Sequence, residues 1–296
     1  MTIAMCYVSP EGVVLGADST ASASFDDGLF HYFNHNQKLL QIGEDSTLAL
    51  LTWGLGGLPS TSYRTLVAVL ADDFKKKRPA SVQQAAERWS ALIWKHYSAE
   101  FAAELARIQD LQGKPPFAAT GAPPIPDART EKEETELKSL IGNLYVGFCI
   151  AGYCTPDRSP KAFEVSLMPT VLAVPVPTRL GMNAFWGAPN LILRLMNGYD
   201  GDLKVGLLGS GKWTGTEAEL DAVLAQNALR MPTLPIRDAV DFVYSCIHST
   251  IKALKFSSLN QICGGPIELA VITTDRPFRW VRHKSWDAAI TEGDIS

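Results

Sequence analysis

Two short apolar runs open the chain, TIAMCYV and VVLGADS, with Ser9-Pro10-Glu11-Gly12 between them. Four strong turn formers between two β-rich runs make an antiparallel hairpin the natural fold of this end. After a polar, aromatic-bearing stretch from Ala21 to His35 come QKLLQIG and STLALLTWG, two more strands parted by Glu44-Asp45. Four strands are thus expected before Gly57. Helical periodicity then takes over. Ser60 to Lys77 places Tyr63, Leu66, Val67, Val69 and Leu70 near helical periodicity, and Ser81 is placed to cap a second helix running from Val82 to about Leu111.

Strands resume with NLYVGFCIAGY and KAFEVSLM, and VLAVPVPT reads as an extended, proline-bearing edge. PNLILRLMNGYD predicts a short helix with proline in its first turn. TEAELDAVLAQNAL and IRDAVDFVYSCIHSTIKALK are amphipathic helices, and GPIELAVITT and FRWVRHK close the order as strands. Strands, helices, strands, helices, strands describe an α+β chain. The expected architecture is a four-layer αββα sandwich, two stacked and mainly antiparallel sheets between helical layers, in one domain over residues 1–296. Residues 113–138, rich in Pro, Ala and Gly and then charged, read as an exposed insertion, because strands resume at once after them.

The formal net charge of −4 and the lack of a basic stripe leave nucleic-acid binding without an electrostatic basis. Lys75-Lys76-Lys77-Arg78 falls where a helix should end, and the helix dipole accounts for it. No run is long and apolar enough to span a bilayer, and the first residues lack the basic region of a signal peptide, so a cytoplasmic protein is expected. The five cysteines, Cys6, Cys149, Cys154, Cys246 and Cys263, are odd in number and mostly set in apolar runs, as reduced core thiols are. His31 and His35 have helical spacing but no third ligand nearby, and no metal or other cofactor is expected.

Chemistry concentrates at the front. Thr2 follows the initiator Met1 directly, and a small second residue favours removal of that methionine. A terminal threonine carries nucleophile and base together, because an α-amine with a pKa near 8 can accept a proton around neutrality. Asp18, in GADST, lies at the far end of the second strand, back beside the start of the first. Lys38 enters the apolar run LLQI, where an ammonium is costly without a carboxylate, and Asp18 is the obvious partner. An ammonium beside the threonine favours its alkoxide and keeps the neighbouring amine neutral. Each residue type is common alone; their joint order is what points to catalysis.

TIAMCYVSPEGVVLGADS, QKLLQIG, LLTWGLGG and GGPIELAVIT together resemble the proteasome β-subunit family of N-terminal nucleophile hydrolases, including the bacterial ring protease HslV and bacterial proteasome homologues. The separation of Thr2 from Asp18 matches that family without a gap; the stretch to Lys38 is a few residues longer. The middle, roughly residues 85–187, is not covered. The resemblance implies the Ntn-hydrolase form of the four-layer fold, with Thr2 as nucleophile and Asp18 and Lys38 as the pair that tunes it. The backbone N–H of Gly54 in TWGLGG then serves as the oxyanion donor. Thr52 and Trp53 are expected to border the pocket for the residue before the cleaved bond.

Departures from the family sit in the groups that assist the terminal amine. Asn260 stands near the usual aspartate position, and Cys263 occupies a position next to the double glycine where the family has a small hydroxyl. For the usual serine, Gly209-Ser210-Gly211 matches as a string. FWGAPNLILRL alternatively reads as the family's strand, turn and helix, which leaves no serine and makes residues 200–230 a second insertion. The expected activity is threonine-type peptide or amide hydrolysis on a peptide or unfolded protein. The expected assembly is a homo-oligomeric ring or stack, with an ATP-dependent unfoldase as partner. The rival readings are a proteolytically silent ring or scaffold subunit and a small-molecule amidase using the same nucleophile.

Overall fold

A computed structural model describes residues 2–24, 30–117, 125–178, 183–226, 228–229, 231–258 and 262–284. It is a mixed structure of helices and antiparallel sheets that divides into two compact units, residues 1–39 with 179–296, and residues 40–178.

The first unit is built on a sheet of order β10-β1-β2-β11-β12. Its strands are β1 (Ile3–Ser9), β2 (Gly12–Ala17), β10 (Asn183–Gly187), β11 (Glu268–Thr273) and β12 (Arg276–Arg282). The opening hairpin forms as expected, with Ala4 opposite Ala17 and Ser9 opposite Gly12. Every residue of β1 and β2 is buried. Alternation sends Ile3, Met5 and Tyr7 to one face, where they meet Val243, Ile247 and Ile251 of α8 (Ile236–Lys255). Each fully buried Val, Ile or Leu there contributes roughly 1.5–3 kcal/mol. Thr2, Ala4 and Cys6 fall on the opposite face. The helices α5 (Asn190–Asn197), α6 (Gly201–Gly209) and α7 (Glu217–Ala225) complete the unit.

Ala21 to His35 contains a strand pair too short for alternation to reveal. β3 (Ala21–Ser24) pairs antiparallel with β4 (Phe30–Phe33) as a separate two-stranded sheet. Among the described residues six strands, not the expected four, therefore precede Gly57.

The second unit holds a sheet of order β5-β6-β7-β8-β9, β5 spanning Leu39–Gln41. The others are β6 (Leu48–Gly54), β7 (Val146–Gly152), β8 (Lys161–Leu167) and the short edge strand β9 (Val176–Pro177). Ser62 caps α1 (Tyr63–Lys76) and Ser81 caps α2 (Val82–Glu100), each hydroxyl accepting from an N–H three residues on. The single long helix expected to reach Leu111 is two helices. Phe101 leaves helical geometry at φ −110°, ψ 28°, and α3 (Ala102–Gln112) starts after it. Trp89, Ile93 and Tyr97 of α2 pack with Phe148 and Val165 of the sheet.

The charged run after Arg129 forms α4 (Glu131–Leu144), started by a reciprocal capping box between Thr130 and Glu133. It buries Leu137 and Leu144 and is tied back by Arg107 to Glu136 and Lys114 to Glu133. Among the described residues no helix is long and apolar enough to cross a membrane. All five cysteines are free and buried.

Candidate active site

The first unit brings Thr2, Asp18 and Lys38 together. Asp18 stands one residue past β2, and β1–β2 pairing returns that end to the start of β1: the Asp18 N–H donates to Ile3 O at 3.1 Å. Its carboxylate is wholly buried and accepts four bonds. Oδ1 takes the Ile3 N–H at 3.1 Å and Lys38 Nζ at 2.6 Å; Oδ2 takes the Thr20 N–H at 3.2 Å and the Gly264 N–H at 2.8 Å. The lysine is therefore anchored on the same oxygen that holds the backbone immediately after Thr2. Lys38 Nζ also donates to Thr20 O at 2.6 Å.

Thr2 is 4% exposed and Lys38 is 3% exposed. Burial lowers the pKa of Lys38 from its ordinary value, and the adjoining Asp18 charge and hydrogen bond work against that shift.

Backbone contacts fix Thr2 from the other side. Ile3 is paired with Gly187 in β10, and the Ala188 N–H donates to Thr2 O at 2.8 Å. Gly187 has φ +86°, and a Cβ there would come within 1.8 Å of Thr2 O, so glycine is required at this contact. β10 is followed by Ala188, then Pro189 and α5. FWGAPNLILRL is therefore a strand, a turn and a helix, with the strand end and the turn against Thr2, as in the second of the two arrangements read from sequence. Ser210 ends α6 as an exposed residue with its hydroxyl donating to Leu207 O at 2.7 Å.

Cys263 is buried in the apolar cluster under α8, and burial, helped by the Asp18 charge, pushes its thiol up to about 12. Asn260 and Met1 lie outside the described residues. His31 rests edge-on against Phe33, and the His35 carbonyl accepts from Lys284; among the described residues no group of three or more His, Cys, Asp or Glu could hold a metal.

Gly54 belongs to the second unit, at the end of β6, with φ +85°. A Cβ there would meet Tyr145 O at 2.4 Å, so the turn that follows this strand also requires glycine. Thr52 and Trp53 precede it as buried residues, the Thr52 hydroxyl donating to Gly147 O and the Trp53 indole to Tyr145 Oη.

Sequence reasoning missed three groups. Thr20 supplies a carbonyl to Lys38, Gly264 supplies an N–H to Asp18, and Glu268 is a fully buried acid at the start of β11. Backbone donors and acceptors leave no trace in residue type. Glu268 does: an acid inside the apolar run GPIELAVIT demands a cationic neighbour.

No family model matches the sequence, and no curated protein matches it. Among solved structures, a chain described as an Anbu (Gly-1) mutant from Hyphomicrobium sp. strain MC1 is similar at 13% identity and a TM-score of 0.49, the match covering 99% of this chain and 91% of that one.

Proposed function

We propose that the chain is a threonine-type hydrolase of peptide or amide bonds, with Thr2 as its mature first residue. The observation that carries this reading is the buried Asp18–Lys38 pair, anchored on the oxygen that also binds the Ile3 N–H. The Thr2 Oγ attacks the carbonyl carbon while the Thr2 α-amine, directly or through water, takes the hydroxyl proton. The Lys38 charge favours the developing alkoxide, and the Gly54 N–H is assigned to the oxyanion. The proton returns to the leaving amine as the C–N bond breaks. Water, activated by the same amine, then cleaves the ester and restores Thr2.

The four-layer αββα sandwich in one domain is part of the same proposal. Burial of every residue of β1, β2 and β7 supports it, because alternation gives each of these strands two faces to cover. A proteasome-like ring or stack, an unfolded-protein substrate, an unfoldase partner and a cytoplasmic location are further expectations of the reading, drawn from the sequence resemblance.

Thr2→Ala protein and processed wild type, each exposed to a threonine-directed electrophile, test the activity. Labelling of wild type alone is expected; labelling of the variant, or of neither, rejects it. A second reading, a silent scaffold subunit of the same fold, is favoured by the accessory positions. Ser210 is exposed at a helix end, and Cys263 is a buried thiol held neutral. Retention of residues before Thr2 in the native protein selects that reading.

A further inference from the structure

Lys38 is served by more than Asp18. Glu268 begins β11 opposite Ala17, and Ala17 is opposite Ala4, so the three form one row across β11, β2 and β1. Leu269 and Val271, its neighbours in β11, join the cluster under α8 with Ile3 and Met5. Alternation therefore puts Glu268 on the other face, the face of Thr2, and the two alanines leave the row between them low. This acid is wholly buried, and its charge acts on Lys38 in the same sense as that of Asp18.

Lys284, two residues past β12, reaches back to the same place. Its Nζ lies 3.5 Å from Glu268 Oε1 and donates to the carbonyls of His35 at 2.9 Å and Asn36 at 3.0 Å. Those carbonyls belong to the segment leading directly into Lys38. The same segment is held by the Asn36 N–H on Ser19 O at 3.0 Å and by the Thr20 hydroxyl on Asn34 Oδ1 at 3.0 Å. A largely buried lysine with three oxygens around it, two of them on the segment that delivers the site lysine, is placed as a clasp.

We propose that Glu268 and Lys284 are positioning residues for Lys38: Lys284 clasps the 34–38 segment onto the sheet, and Glu268 supplies a second negative charge beside the site ammonium. The inference deepens the hydrolase reading, since it assigns the regulation of charge at that site. The charged and titratable groups around Lys38 are Asp18, Glu268, Cys263, whose thiol stays neutral, and beyond Glu268 the Lys284 ammonium and the His283 ring, whose Nε2 is 3.5 Å from Glu268 Oε1. Like charge at Lys284 and opposite charge at Glu268 make the two residues act on Lys38 with opposite signs.

The test is the titration of Lys38 itself, followed by NMR of lysine side chains in the full chain, with Lys38→Met used to assign the signal. Glu268→Gln should lower the Lys38 titration midpoint by about one pH unit, and Lys284→Gln should raise it. Glu268→Asp should restore most of the loss. Unchanged midpoints, or shifts of one sign in both variants, overturn the proposal. If Glu268→Gln does not fold, the Lys284→Gln arm decides alone. The readout needs no catalysis, so an inactive wild type with the expected shifts rejects the hydrolase reading and leaves this one standing.

Discussion

Replacing Asp18 by Asn keeps shape and volume while removing one charge from the buried pair. Oδ1 accepts from Ile3 N–H and Lys38, and Oδ2 from Thr20 N–H and Gly264 N–H. Whichever way an amide is turned, its NH2 group faces two donors, so two hydrogen bonds become repulsive contacts. Lys38, 3% exposed, loses the carboxylate charge and keeps Thr20 O as an acceptor. Breaking a buried ion pair from one side costs about 3–5 kcal/mol, and this substitution belongs at about 5. Lys38→Met is gentler, at about 3 kcal/mol, because the carboxylate keeps three N–H donors. The double variant removes both charges and should fall short of the sum of the singles by about 2 kcal/mol. Urea unfolding of all four proteins, followed by tryptophan fluorescence and circular dichroism, measures the cycle. Single-variant costs below about 1 kcal/mol, or strict additivity, would refute the buried pair as described.

Two other substitutions separate the contacts at Thr2 from distant ones. Gly187→Ala should destabilise by more than the roughly 1–2 kcal/mol of a left-handed residue, because its Cβ also strikes Thr2 O; a lower Tm with slowed electrophile labelling is the expected pair of results, and an unchanged Tm contradicts the contact. Ser210→Ala should leave stability within about 0.5 kcal/mol and labelling unaltered, because the serine is exposed at the end of α6; lost labelling would return Ser210 to the site.

The opening hairpin and α8 were legible because their patterns are long and their turn or amphipathic signals agree. The Asp18–Lys38 pair was legible for a different reason: a lysine entering LLQI has to find a carboxylate, and hairpin pairing returns Asp18 to the chain's start. Other features were hidden by physics that residue type does not express. The break between α2 and α3 is one residue, Phe101, whose buried side chain keeps the helical periodicity running while its backbone leaves it. α6 carries glycine at 201, 206 and 209, a composition that argues against a helix, and its start depends on Asp200 accepting from the Leu203 N–H. β3 and β4 are four residues each, too short to show alternation. At the site, the donors from Gly264 and Thr20 are main-chain groups, visible only once the strands are paired.

The central claim is that Thr2 is a terminal nucleophile. Intact-mass measurement of the native protein after treatment with a threonine-directed electrophile, with the adduct located by peptide mapping, tests it most directly. A mature chain beginning at Thr2, with one adduct on the Thr2 peptide, is the expected result. A chain that retains Met1 and carries no adduct would contradict it.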